Sequence, residues 1–199
     1  MSTYLDKMKQ DISAFINCYG QSVLIVGAGG GKLFGYTDSA RKIYALDCNK
    51  EALDKLKEII PECDQGNKYE LICDYFENTT TKVDIVIFEF SLHEIPDTYK
   101  ALKHAKSLGN RVIVVVHTSD SEWICIAQED QNAKRVEDGL NKFNIKKANE
   151  YITGKEFKDL DDLKCKLGYK IDDTLPCIFE NYRNKKNCVV EMKYRISEI

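Results

Sequence analysis

The stretch Val23-Leu24-Ile25-Val26-Gly27-Ala28-Gly29-Gly30-Gly31 limits the fold more than any other part of the sequence. Four consecutive apolar residues, with β-branched valines at both ends, read as a buried strand. The run stops at four glycines within five positions. Glycine accepts φ > 0 and has no Cβ, so such a loop lets a ligand approach the backbone closely. A strand emptying into a loop of this kind is where α/β proteins hold nucleotides.

The segments around this stretch alternate between helical and strand-like patterns. Tyr4, Leu5, Met8, Ile12, Phe15 and Ile16 are spaced three and four apart, which predicts an amphipathic helix over 3–19 that ends near Gly20. Strands are expected at 22–26, 42–46, 69–73, 83–88 and 111–116. Helices are expected at 50–60, from Pro96 to Leu108, over 123–143 and over 156–167, with a less regular one over 32–40. The run 83–88 is almost wholly apolar, as suits the centre of a parallel sheet. Two final strand-like runs, 175–182 and 188–196, flank the polar connector 183–187 and read as an antiparallel hairpin. The expected architecture is a three-layer α/β/α sandwich with a seven-stranded, mostly parallel sheet and a C-terminal antiparallel hairpin. No repeat or linker divides residues 1–199, so a single Rossmann-like domain is expected. The N-terminal helix lies within 1–20, and 119–154 is a candidate substrate lid.

Composition narrows the function. A formal net charge of −3 offers no overall basic field, which argues against nucleic acid as a partner. No apolar run approaches a membrane-spanning length, so no membrane partner is expected. The N-terminus has no signal-peptide core, and the eight cysteines include no Cys-x-x-Cys pair. Reduced thiols and a cytoplasmic location are the expectation.

The glycine pattern separates three chemistries. A Walker loop fails because Leu33 follows Gly31-Lys32 and Val26 holds the upstream glycine position. A Gly-x-Gly-x-x-Gly dinucleotide loop fails because its third place is Lys32. Gly27, Gly29 and Gly31 give Gly-x-Gly-x-Gly, with Asp47 closing the next strand and Asp74 the one after. With Glu89-Phe90-Ser91-Leu92-His93 after the fourth strand, this resembles the class I S-adenosylmethionine-dependent methyltransferases. The resemblance covers about Val23 to Val116, and the terminal hairpin fits the family's last two strands. It implies that S-adenosylmethionine is the cofactor, leaving as S-adenosylhomocysteine. It places Gly27, Ala28, Gly29, Gly31, Asp47, Cys48, Asp74, Tyr75 and Glu89 at the donor, with Asp47 on the ribose hydroxyls and Asp74 on the adenine amino group. The family usually carries an acid two residues before the first glycine; here that position is Ile25.

Methyl transfer asks mainly for alignment and the exclusion of water, and for a base where the acceptor must lose a proton. His93 and His117 follow strands four and five directly and should open onto the crevice at the strand ends. They are the candidate bases, with Glu94 as a partner that tunes His93. His104 lies between lysines on a helix face and reads as a surface residue. Ser91 and Trp123, the sole tryptophan, are candidates for the acceptor site. His93, Glu94, His117 and Glu122 show no ligand spacing within one element, so no metal is expected. The expected activity is methylation of a small-molecule acceptor. The alternatives are an RNA or protein methyltransferase, supported only by the basic residues Arg183, Lys185, Lys186, Lys193 and Arg195, and a non-catalytic S-adenosylmethionine-binding module.

Overall fold

The computed structural model describes residues 3–61, 67–167 and 179–199. It opens with α1 (Tyr4–Phe15), whose first turn is closed by a capping box: the Thr3 hydroxyl accepts from Asp6 N and the Asp6 carboxylate accepts from Thr3 N. Then come β1 (Ser22–Val26), β2 (Lys42–Asp47), α2 (Lys50–Ile59), β3 (Tyr69–Cys73), β4 (Val83–Glu89), α3 (Thr98–Leu108) and β5 (Gly109–His117). The chain continues with α4 (Glu122–Ile126), α5 (Asp130–Leu140), β6 (Lys147–Phe157), α6 (Leu160–Leu167) and β7 (Cys188–Glu198). Asn49 and Asp97 cap α2 and α3, each accepting from a backbone N–H three residues on.

The seven strands form one sheet in the order β3-β2-β1-β4-β5-β7-β6. β1 to β5 pair in parallel, while β7 runs antiparallel to both β5 and β6. Strand periodicity divides the core into two faces. Val23, Ile25, Ile85 and Ile87 pack with Met8 and Ile12 of α1 and with Leu53 and Leu56 of α2. Leu24, Val26, Val86 and Phe88 pack with α3 and with Val136 and Leu140 of α5. Ile85 to Phe88 have no solvent exposure, so both faces of the sheet are covered, as three layers require. No helix among the described residues is long and apolar enough to cross a membrane.

Polar contacts fix the strand register. Asp84 Oδ2 accepts from Ser22 N and Ser22 Oγ, both at 2.7 Å, tying the start of β4 to β1. Arg111 grips Glu198 with two parallel hydrogen bonds of 3.0 and 2.9 Å, holding β5 against β7. Buried Asp11 accepts from Tyr194 Oη at 2.6 Å and joins α1 to β7.

Four expectations need correction. The partner of the last strand is 147–157, not 175–182, and the connector is 158–187 rather than five residues. Residues 175–178 lie outside the described residues, and Phe179–Tyr182 form a 3-10 turn. The predicted helix over 123–143 divides into α4 and α5 at Gln128, whose φ is +57°. The predicted helix at 156 starts at Leu160, because 156 and 157 belong to β6. Residues 32–40 form turns rather than a helix, with Gly35 at φ +103°.

Candidate functional site

The glycine loop leaves β1 at the carboxyl end of the parallel sheet. Gly27 has φ +78°, and a Cβ there would lie 2.2 Å from Ser91 Cβ, so only glycine fits between the ends of β1 and β4. Gly31 has φ +73°, and a Cβ there would strike Ile59 Cδ1 at 2.4 Å. The loop is therefore pressed between α2 and the β4 turn. Asp47, at the end of β2, shapes its middle. Its Oδ2 accepts from Gly29 N at 2.8 Å and its Oδ1 from Asn49 N at 2.8 Å. Each carboxylate oxygen keeps a further lone pair for a ligand hydroxyl.

A cleft of about 480 Å³ opens beside this loop. Its walls include Gly27, Asp47, Cys48, Asp74, Tyr75, Glu89, Ser91 and Glu94, with Ile95 and Pro96 closing one side. Asp74 Oδ1 accepts from Tyr75 N and from Asn78 Nδ2, both at 2.7 Å, which fixes the carboxylate. The Tyr75 ring is 66% exposed and free to lie against a flat ligand. Ser91 Oγ donates to Val26 O at 2.6 Å, so its hydroxyl hydrogen is used inside the protein.

A second hollow, of about 300 Å³, lies on the other side of Gly27, Glu89 and Phe90, which line both spaces. It is bounded by Tyr4, Leu5 and Met8 of α1, by Ala28, Gly29 and Gly30 of the glycine loop, and by Lys32, His117, Trp123, Lys155 and Met192. Phe90 has φ +49°, an unfavourable conformation for an aromatic residue and one that tends to mark functional turns. Its ring packs 4.6 Å from that of His117.

The ionisable groups between the two spaces are strongly perturbed. Burial pushes the Glu89 carboxyl up to about 8, so it is mostly protonated at neutral pH in the ligand-free protein. What surface Glu89 retains opens into the clefts it lines. Tyr36, also buried, lies close to Glu89, and among the described residues its hydroxyl has no partner in direct hydrogen-bond geometry. A small space of about 20 Å³ between Ile25, Tyr36 and Glu89 has room for one bridging water. Burial also pulls His117 down to about 4, so its imidazole is neutral across the physiological range. His117 Nδ1 faces Lys193 O at 3.4 Å; a carbonyl can only accept, so Nδ1 carries the proton and Nε2 is the acceptor.

Other sequence candidates lie elsewhere. His93 lines neither space; its Nε2 is 3.2 Å from Glu94 and 3.5 Å from Glu129, and Arg135 donates to its carbonyl at 2.7 Å. His93, Glu94 and Glu129 are the ligand-type side chains that come within 4.8 Å of one another among the described residues, and Glu94 is largely exposed. His104 is half-buried rather than on the surface, bonded to Thr79 O at 3.0 Å and packed on Phe76. Trp123 stacks near-parallel to Phe157 at 6.2 Å while also facing the second hollow. Ile25 is buried in the apolar core. Sequence reasoning missed Phe90, Tyr36 and Lys155. Of these, only Phe90 carried a signal, as an aromatic residue at the strand-four turn.

Comparison with known structures places this fold. No protein-family model and no curated protein matches the sequence. A Bacillus halodurans protein assigned to the methyltransferases superposes with a TM-score of 0.67 at 14% identity, over 96% of this chain and 97% of its own. A Pyrococcus horikoshii protein assigned as an RNA methyltransferase gives 0.58 at 16% identity, over 98% and 81%. The magnesium protoporphyrin IX methyltransferase of Synechocystis, solved with S-adenosylhomocysteine bound, gives 0.56 at 13% identity, over 97% and 80%. At these identities the likeness is one of fold. The chain has the class I S-adenosylmethionine-dependent methyltransferase fold.

Proposed function

We propose that this protein transfers a methyl group from S-adenosylmethionine to a small-molecule acceptor. The observation that carries this reading is the meeting of two spaces at Gly27, Glu89 and Phe90, one of donor size and chemistry and one enclosed by α1. The residues of the first space fit the donor. Asp47 offers two oriented acceptor oxygens for paired ribose hydroxyls, and Asp74 a fixed carboxylate for an exocyclic amine. Gly27 and Gly31 let the loop pack against Ser91 and Ile59 where a Cβ would collide, which holds its backbone at the edge of the cleft.

When bound, the donor would supply a sulfonium methyl, whose carbon would bond to the acceptor atom as the carbon–sulfur electron pair returns to sulfur, with a proton lost where the acceptor atom carries one. Glu89 lines both spaces, so a donor in the first with its cationic end towards the second would pass beside it. A neighbouring positive charge lowers a carboxyl's pKa, so a protonated Glu89 ionises on donor binding and offsets that charge. This assigns to β4 the charge that Ile25 does not supply from β1. His117 is neutral, with Nε2 free to accept the proton of the acceptor. The apolar walls of Phe90, Trp123 and Met192 keep water from the reacting centre.

The size of the second hollow favours a small acceptor over RNA or protein, and two of the five basic C-terminal residues are paired with acids. Lys193 is paired with Asp120 and Glu150, and Arg183 with Glu180. Calorimetry with S-adenosylhomocysteine tests the reading. A Kd between about 1 and 100 μM is expected, weakened at least about tenfold by Asp47→Ala. No binding at about 1 mM overturns it. Donor binding with no methyl transfer to any fraction of a small-molecule extract would instead leave a binding module.

A further inference from the structure

The second hollow contains two cations, one half-buried and one solvated. Its charged and titratable lining is Lys32, Lys155, Glu89, His117 and the Tyr4 hydroxyl. At neutral pH Glu89 is mostly protonated and His117 is neutral, so the space is net positive. Lys32 is exposed beside the glycine loop, where water solvates it. Lys155, on β6, is half-buried, and among the described residues neither lysine makes a hydrogen bond or an ion pair. The Lys155 ammonium instead sits 4.1 Å over the Trp123 ring, with Phe157 at 5.4 Å and Tyr4 at 5.5 Å. Aromatic faces recover only part of what an ammonium loses on leaving water. A cation held in this way, with no ion pair of its own among the described residues and with Glu89 committed to the donor's charge when it ionises, is arranged for an anionic ligand.

We propose that Lys155 anchors the acceptor and that the acceptor carries a carboxylate beside a flat apolar body. The inference rests on the second hollow being the acceptor site. A single seated ammonium matches one monoanionic group, whereas a phosphate dianion would call for further buried donors. Trp123, Tyr4 and Phe90 line the hollow and supply aromatic surface to the body of such a molecule. The same carboxylate chemistry exists on the amino-acid end of the donor. Lys32, adjoining the glycine loop, is placed for that end, and Lys155, across the hollow among α1, α4 and β6, for the acceptor.

Because Trp123 is the sole tryptophan and lines this hollow, its fluorescence reports ligands that enter it. The full chain is titrated with phenylacetate and with phenylacetamide, its neutral counterpart, with and without saturating S-adenosylhomocysteine. The carboxylate should bind at least about tenfold more tightly than the amide. Lys155→Met should abolish that preference and Lys155→Arg should keep it, while neither changes S-adenosylhomocysteine affinity by more than about twofold. Equal affinity of the wild type for the two probes, which requires no variant to fold, overturns the proposal. So does a preference that survives in Lys155→Met. A Lys155→Met protein that keeps the preference but binds S-adenosylhomocysteine about tenfold more weakly would assign Lys155 to the donor. A wild type that binds no S-adenosylhomocysteine would overturn the donor reading alone, because the phenylacetate titration of the free chain still decides this one.

Discussion

Glu89 illustrates how much a single side chain at a strand end can determine. The strand pattern of β4 places it on the same face as Ile87, towards Tyr36 and the core of α1 and α2. In the unfolded chain its carboxyl ionises near 4.5, but in the fold only at about 8. Between those values the folded state holds the extra proton. The stabilising difference is thus fully present below about pH 4.5 and is lost as pH rises towards 8, above which the loss levels off. Glu89→Gln keeps the shape and has no proton to lose. Thermal melts of both proteins at about pH 5 and about pH 9 should show the variant gaining about 1–3 kcal/mol relative to the wild type at the higher pH. A difference that does not change with pH would mean that the fold does not hold the carboxyl protonated. The sequence disclosed Glu89 because an acid closing an apolar run stands out. Lys155 was not legible, since a lysine in the polar run Lys147–Phe157 looks like any solvated lysine until the fold sets Trp123 and Tyr4 around it.

At the scale of elements, legibility followed burial. The five parallel strands and the helices α1, α2 and α3 have apolar periodicities that only one structure satisfies, and their limits were read to within a few residues. β6 escaped notice because it is the sheet's edge. With one side unpaired and both faces part-exposed, it alternates weakly, and its sequence KANEYITGKEF carries the charges that discourage edge-to-edge association. The hairpin was therefore expected with the wrong partner strand. The division of α4 from α5 was hidden for another reason. Gln128 adopts φ +57°, which nothing in its side chain predicts; the turn is imposed by Gln128 N bonding to Cys125 O and Glu129 N to Ile124 O. That conformation disfavours a residue with a Cβ, and Gln128 is exposed, so its side chain gives little in return. Gln128→Gly should stabilise the protein by about 0.5–1 kcal/mol, seen as a rise in Tm of about 1–4 °C. A fall in Tm would show that the glutamine side chain holds the junction.

For the molecule as a whole, the sheet separates two tasks. The donor cleft is built by the ends of β1, β2, β3 and β4 and the turns that follow them; no residue of α1 lines it. The second hollow needs α1, which is fastened at its far end by Asp11 to Tyr194 and by Lys147 Nζ donating to Phe15 O. Loosening α1 should therefore weaken the protein without weakening donor binding. Tyr194→Phe removes the hydroxyl that donates to buried Asp11, leaving that carboxylate with Lys7 alone. The loss should be about 1–3 kcal/mol, the range for a buried hydrogen bond to a charged group. In the wild type, S-adenosylhomocysteine at about 100 times its Kd adds roughly 2.7 kcal/mol and raises Tm by about 5–10 °C. Tyr194→Phe should melt earlier yet show the same rise, because its donor cleft is intact. Asp47→Ala should show little rise at that ligand concentration, because it removes the acceptor of Gly29 N and Asn49 N and the proposed ribose partner together. If Tyr194→Phe loses the ligand-induced rise as well, the two spaces are coupled through α1 and the division of labour between them does not hold.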